Sequence, residues 1–165
     1  MSTTITTFIG REVDPLNLTA ADIDIRDIAH ALALLCRFNG HCARFYSVAQ
    51  HSVWVSRQCG DEALIGLLHD AAEAYLGDIP TPVKHRLPAF KTAEEKAEQA
   101  IAARFGLQEL GSLRVKAADA EALGLEKRHL LHSGEADWAH LACETWEIAE
   151  RNFLTRFEEL TRAHI

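Results

Sequence analysis

No apolar run in these 165 residues approaches the roughly 20 needed to cross a bilayer, so no membrane-spanning helix is expected. The opening Met1-Ser2-Thr3-Thr4 lacks the basic and apolar regions of a secretion signal, and a cytoplasmic location is the expectation. Positive charge is in short supply: 17 Lys and Arg against 24 Asp and Glu leave a net charge of −7. That balance excludes broad nucleic-acid binding, which needs a basic surface. A small anionic substrate stays open, because a few local cations and a metal outweigh the global sign. Cysteine is scarce too, with Cys36, Cys42, Cys59 and Cys143 forming no CxxC pair. They are expected as reduced, partly buried thiols and not as disulfides or a zinc cluster. Internal repeats, low-complexity stretches and inter-domain linkers are absent as well.

The remainder is ordinary for a soluble globular chain, at 48% hydrophobic and 25% charged. The length suits one domain over residues 1–165 with a full hydrophobic core. Thr4 to Ile9 alternates weakly and predicts a short strand. Asp22 or Asp24 caps a helix with apolar positions Ile28, Ala31, Leu32 and Leu35, ending near Phe38-Asn39-Gly40. A second helix is predicted from about Arg44 to Cys59. A third runs from Asp61 to Gly77, and a short one covers Val83 to Leu87 after the Pro80 and Pro82 breaks. Thr92, with Glu95 in a capping box, opens a helix reaching Arg104 or Phe105. Its charge run Glu94-Glu95-Lys96-Glu98 reads as a solvated face. A further helix spans about Gly111 to Leu131, followed by a loop at His132-Ser133-Gly134-Glu135. The terminal helix is expected over about 137–162, with Trp138, Leu141, Trp146, Ala149, Phe153, Phe157 and Leu160 as its inner stripe. The fold class is all-α, a compact bundle of about six helices.

One stretch stands out, Leu67-Leu68-His69-Asp70-Ala71-Ala72-Glu73-Ala74-Tyr75. Burying an imidazole and a carboxylate among so many aliphatic groups is costly unless something binds them. A divalent cation is the simplest partner, since neutral imidazole and carboxylate are ligands for zinc, manganese, cobalt and iron. On a helix, Glu73 projects from the same face one turn later. Further ligands are available from His51 and Asp119 on neighbouring helices. Each has a blander reading: a buried His-Asp hydrogen bond, a satisfied core histidine, a helix cap or salt-bridge partner. Tyr75 reads as core or as a ring beside a base. His30, His85, His129, His132, His140 and His164 read as exposed or structural.

The pattern His51, His69-Asp70, Asp119 resembles the metal-binding signature of the HD-domain metal-dependent phosphohydrolases. Cys36-Arg37-Phe38, Tyr46 to Ser52, Leu68 to Ala74, Gly77 to Lys84 and Lys116 to Asp119 extend the resemblance over roughly residues 26–131. They point to the small single-domain group with the bacterial 5′-deoxynucleotidases and phage deoxynucleotide hydrolases. The resemblance implies that His51, His69, Asp70 and Asp119 hold one divalent ion (Mn, Co, Zn or Fe). It makes Glu73 and Asp78 the carboxylates around the attacking water and Arg37 the phosphate contact. Where the bacterial enzymes have Arg-Trp, this chain has Arg37-Phe38, so the ring beside the sugar differs. A homodimer is expected from the resemblance alone.

The chemistry follows. Phosphoryl transfer needs the equatorial oxygens held and their charge neutralised. Arg37 is suited to a bidentate clamp and Lys84 to a point charge, with His41 and Arg44 near the mouth. The expected activity is release of inorganic phosphate from (deoxy)nucleoside 5′-monophosphates. A rival is cleavage of deoxynucleoside triphosphates to tripolyphosphate, with Lys84, His85 and Arg86 meeting the longer tail. A third reading is a non-catalytic helical module with a structural metal, against which an open ligand set argues.

Overall fold

The computed structural model describes residues 3–131 and 141–162. Expectations at His132 to His140, including Trp138, and at His164 lie outside the described residues. The all-α expectation holds: a two-residue hairpin, β1 (Ile5–Thr6) antiparallel to β2 (Glu12–Val13), precedes a run of helices. These are α1 (Ile25–Leu34), α2 (Val48–Gln58), α3 (Ala63–Leu68), α4 (Glu73–Leu76), α5 (Thr81–Lys84), α6 (Pro88–Phe105), α7 (Leu113–Leu130) and α8 (Trp146–Arg162).

Three helix starts have side-chain caps that satisfy otherwise orphaned amides. Asp24 accepts from the Arg26 amide, Ser47 from Gln50 and Ser112 from Val115. The cap at Ser47 starts α2 four residues later than the expected Arg44. Pro88 opens α6 four residues before Thr92, because proline's missing amide is no loss at a first helical position. Thr92 instead donates from inside the helix to the Pro88 carbonyl. Helix α1 stops at Leu34, short of Phe38, as Leu35 turns extended. Helix α8 begins only at Trp146, and Leu141 lies in the non-helical segment before it. Trp146 itself is 37% exposed, so the inner stripe starts at Ala149 and Phe153, both fully buried.

Helix α2 is the centre of the packing and touches α1, α3, α7 and α8. Its Val48, Ala49, His51, Ser52 and Val55 are fully buried. The main core joins α1, α2, α3, α6 and α8 through Ile28, Leu32, Val48, Leu67, Ile101 and Phe153. A second apolar seam of Val55, Cys59, Val115, Ala118 and Ala122 clamps α7 across α2. That seam is what carries Asp119 over His51.

The third helix does not run unbroken to Gly77 as expected. Residues 69–72 are a turn between α3 and α4. There the amides of Ala71, Glu73, Ala74 and Tyr75 bond three residues back instead of four. His69 and Ala72 keep right-handed dihedrals, so the axis continues but winds tighter. In such a turn residues three apart eclipse one another, which aligns Asp70 with Glu73. Gly77 then ends α4 at φ 82°, ψ 157°, a region closed to residues with a Cβ, and releases the chain into Asp78-Ile79-Pro80.

Helix α3 approaches α2 closely at Gly66. A Cβ there would lie 2.8 Å from Cys59 Sγ and 3.2 Å from Ser56 Cα. In an exposed helix Gly→Ala adds about 1 kcal/mol of stability. Here the sign reverses: Gly66→Ala is expected to lose about 1–3 kcal/mol of unfolding free energy by overpacking. Denaturant titration reads the sign, and a stabilised variant would refute the close contact.

Candidate active site

Three elements aim four polar side chains at one region. His51 comes from the middle of α2, His69 and Asp70 from the tight turn after α3, and Asp119 from α7. His51 Nε2 lies 3.3 Å from His69 Nε2, 3.6 Å from Asp70 Oδ2 and 3.2 Å from Asp119 Oδ1. His69 Nε2 is 3.2 Å from Asp70 Oδ2. His51, His69 and Asp70 each present a ligand atom within 4.8 Å of the others. Asp119 falls outside that mutual group, although it touches His51.

The far side of each ring decides its tautomer. His69 Nδ1 sits 2.8 Å from the Gly66 carbonyl, which only accepts, so Nδ1 carries the proton. His51 Nδ1 is 2.7 Å from Glu126 Oε1 and donates to it. Both Nε2 atoms therefore face the cluster with lone pairs. Two imidazole nitrogens and two carboxylate oxygens crowd together with no donor of their own. A cation at ordinary bond lengths of about 2.0–2.2 Å sets neighbouring ligands roughly 3 Å apart. The observed 3.2–3.6 Å spacings and the acceptor-only donor set fit such an ion.

The carboxylates give the cluster a negative field that favours positive charge on it. Burial opposes ionisation of Asp70, but His69, His51 and Arg37 outweigh it and hold its carboxyl well below the usual range. Burial likewise opposes charge on His69, and Asp70 more than offsets it, raising its pKa. Asp119 is lowered, since hydrogen bonding and charge from His51 exceed the effect of burial.

A cavity of about 620 Å³ opens beside the cluster, lined among others by Arg37, Phe38, Asp70, Glu73, Asp78 and Lys84. Glu73 and Asp78, expected to be catalytic, and Arg37, Phe38 and Lys84, expected at the substrate, thus border one space, with Asp119 on its wall. Phe38 and Asn39 adopt left-handed backbone at φ 56° and 52°, and the Arg37 guanidinium lies 5.5 Å from the Phe38 ring centre. The Nε and Nη2 atoms of Arg37 donate to Glu126 Oε2 at 3.0 and 2.7 Å. Only the Nη1–Nη2 end of the guanidinium is left for a ligand, with Nη1 3.8 Å from Asp70. Burial disfavours its charge, yet Glu126 and Asp70 raise the Arg37 pKa above its ordinary value. Lys84 is similarly engaged, 2.6 Å from Glu94 and 3.7 Å from Glu73. The charge run on α6 is therefore not simply a solvated face.

Glu73 is 8% exposed, and its Oε2 has no hydrogen-bond partner among the described residues. Burial, then the nearby Asp70 and Asp78 carboxylates, push its pKa up to about 10. Burial also raises Asp78.

His41, Arg44, His85 and Arg86 are exposed and border neither this cavity nor the one opposite. Tyr75 is buried in the core. The opposite cavity, about 580 Å³, meets the cluster at His69 and Asp119 and carries Glu95, Glu98 and Glu109. Sequence reading missed Glu126, Lys127 and Glu94. The first two follow Asp119 by seven and eight positions, the spacing of one helix face, which was a usable signal. Glu94 could be found only from the packing of α5 on α6.

A helical bundle with a His-His-Asp cluster open to a cavity is the architecture of a metal-dependent hydrolase. Residues 13–118 match the family model of YfbR-like 5′-deoxynucleotidases, and the chain belongs to this HD-type hydrolase family. It is 45% identical to the uncharacterized protein YfdR of Escherichia coli, over 76% of this chain and 71% of that one. An uncharacterized Rhodobacter capsulatus protein, RCAP_rcc00048, is 36% identical over 78% and 73% of the two chains. A 5′-deoxynucleotidase of Vibrio atlanticus is 32% identical over 55% of this chain and 42% of its own length. HD-type phosphohydrolases use a divalent metal, which agrees with the His51-His69-Asp70 group. Among the described residues no helix is long and apolar enough to cross a membrane.

The raised Glu73 pKa has a consequence for stability. Unfolded, the carboxyl ionises near its ordinary 4.5, while the folded, metal-free chain keeps the proton to about 10. Between those values the unfolded state binds fewer protons, so stability falls as pH rises. Glu73→Gln removes that slope. Metal-free Glu73→Gln is expected to exceed wild type at pH 8 by about 1–3 kcal/mol, with a smaller gap at pH 5. Thermal melts at both values test this, and equal gaps would contradict it.

Proposed function

We propose that this chain is a metal-dependent 5′-nucleotidase releasing inorganic phosphate from (deoxy)nucleoside monophosphates. In this reading His51, His69, Asp70 and Asp119 hold one divalent ion, drawn from Mn, Co, Zn or Fe. The observation that carries it is the acceptor-only cluster opening onto a cavity with Arg37, Lys84 and Lys127 on its wall. When bound, the ion supplies Lewis acidity toward water and phosphate oxygens.

The chain's own groups do the rest. A phosphate dianion meets Arg37, Lys84 and Lys127 in the first cavity, whereas Lys116 alone among Lys and Arg lines the second, beside Glu95, Glu98 and Glu109. The free end of Arg37 takes two phosphate oxygens in parallel. Glu73 faces the same space with a proton that the leaving 5′-oxygen needs. Asp78, across from it, orients the attacking water. Phe38, Ile79, Pro80 and Leu123 give the cavity an apolar wall suited to sugar and base. Neither His85 nor Arg86 lines the cavity, where a triphosphate tail would have to lie.

A panel of nucleoside mono-, di- and triphosphates, assayed with each of the four metals and with products separated, tests the proposal. Orthophosphate from monophosphates is expected, whereas tripolyphosphate from triphosphates would overturn it. Asp70→Ala is expected to abolish metal uptake and turnover together. Glu73→Ala should keep the metal while kcat falls about 10²- to 10⁴-fold. Normal turnover by Glu73→Ala would remove it from the proton transfer.

A further inference from the structure

Glu126 sits behind the cluster, 1% exposed, seven residues after Asp119 on α7. Its two oxygens serve different partners. Oε1 accepts from His51 Nδ1 at 2.7 Å, and Oε2 accepts from Arg37 Nε and Nη2 at 3.0 and 2.7 Å. We propose that Glu126 is a positioning residue that sets metal affinity through His51 and phosphate binding through Arg37, by separate oxygens of one carboxylate. The proposal rests on the metal and phosphate roles assigned above.

A carboxylate on one imidazole nitrogen fixes the tautomer and makes the opposite nitrogen a better ligand. His51 is fully buried, and the Glu126 carboxylate is the acceptor that faces its Nδ1. On the other side, Arg37 is anchored along its Nε–Nη2 edge, which leaves the Nη1–Nη2 end directed to the cavity. Loss of the anchor frees a long side chain whose correct placement is needed for a bidentate contact. A simpler role would be neutralising a buried guanidinium, and the two accounts differ in what a paired substitution does.

Isothermal titration with Mn²⁺ and Co²⁺ on the 165-residue chain compares wild type, Glu126→Gln, Arg37→Gln and the double variant. Glu126→Gln is expected to bind metal about 10- to 100-fold more weakly. Arg37→Gln should keep wild-type metal affinity and raise KM for the monophosphate. The double variant removes both buried charges and should fold, yet keep the weakened metal affinity. Wild-type metal affinity in Glu126→Gln, or its recovery in the double variant, would leave Glu126 only a counter-charge and overturn the proposal. An equal metal loss in Arg37→Gln would do the same. If Glu126→Gln fails to fold, the double variant carries the comparison. A wild-type chain that takes up neither ion overturns the metal reading and this proposal with it. One that binds metal but hydrolyses no nucleotide overturns the substrate reading alone.

Discussion

Lone pairs on His51, His69 and Asp70 are held 3.2–3.6 Å apart with their protons turned outward, an arrangement that repels unless positive charge stands among them. No local preference brings such groups together. The approach is imposed by apolar burial elsewhere, where each fully buried aliphatic side chain contributes about 1.5–3 kcal/mol. Leu32, Val48, Leu67 and Phe153 lock α1, α2, α3 and α8 into one core. Gly66 lets α3 press against α2, so the His69 ring is delivered to the His51 ring. The same glycine's carbonyl then takes the His69 proton and points the free nitrogen inward. Packing and ligand orientation thus meet at one residue.

Charge is sorted as carefully as shape. The chain is acidic overall, yet the two cavities flanking the cluster differ in kind. One carries Arg37, Lys84 and Lys127 beside Asp70, Glu73, Asp78 and Asp119, the other Lys116 beside Glu95, Glu98, Glu109 and Asp119. Asp119 borders both, so the cluster forms the partition between them. Three of the four Lys and Arg side chains on these walls line the Arg37 cavity, which makes it the less unfavourable approach for an anion. A divalent ion held at the His51-His69-Asp70 group would tip that side toward phosphate despite the chain's net charge of −7.

Much of this was legible in the chain itself, because the signals were local. The His69-Asp70 pair in an apolar run, the Asp24 cap, the end of α6 at Phe105 and the Gly77 break depend on neighbours within a few residues. What escaped depended on contacts distant in sequence. Helix α3 was read as continuous because Ala71 and Ala72 are good helix formers, and the tightened turn comes from packing, not propensity. Thr92 and Glu95 had the pattern of a capping box, but Pro88, with Leu87 before it, gave an earlier start. Glu126 looked like one more acidic residue on a charged helix. Its burial is visible only once α7 lies across α2, 75 residues away from His51 in the chain.

The segment that holds Arg37 is strained, and the strain has a reason to persist. Phe38, Asn39 and Gly40 are left-handed in succession, at φ 56°, 52° and 77°. Asn and Gly tolerate this, but Phe does so at a cost of order 1–3 kcal/mol. The loop is pinned on both sides. The Arg37 amide donates to the Tyr46 carbonyl, and the Ala43 amide donates to Leu130 at the end of α7. Between these anchors the Cys42 thiol donates to the Arg37 carbonyl, and the His41 amide to that of Phe38. Relaxing Phe38 to ordinary backbone would break at least one of these bonds and swing the arginine off Glu126. The backbone therefore stores at Phe38 what the site needs at Arg37, a guanidinium that cannot wander. A right-handed turn of the same length would be more stable locally and would aim that charge elsewhere.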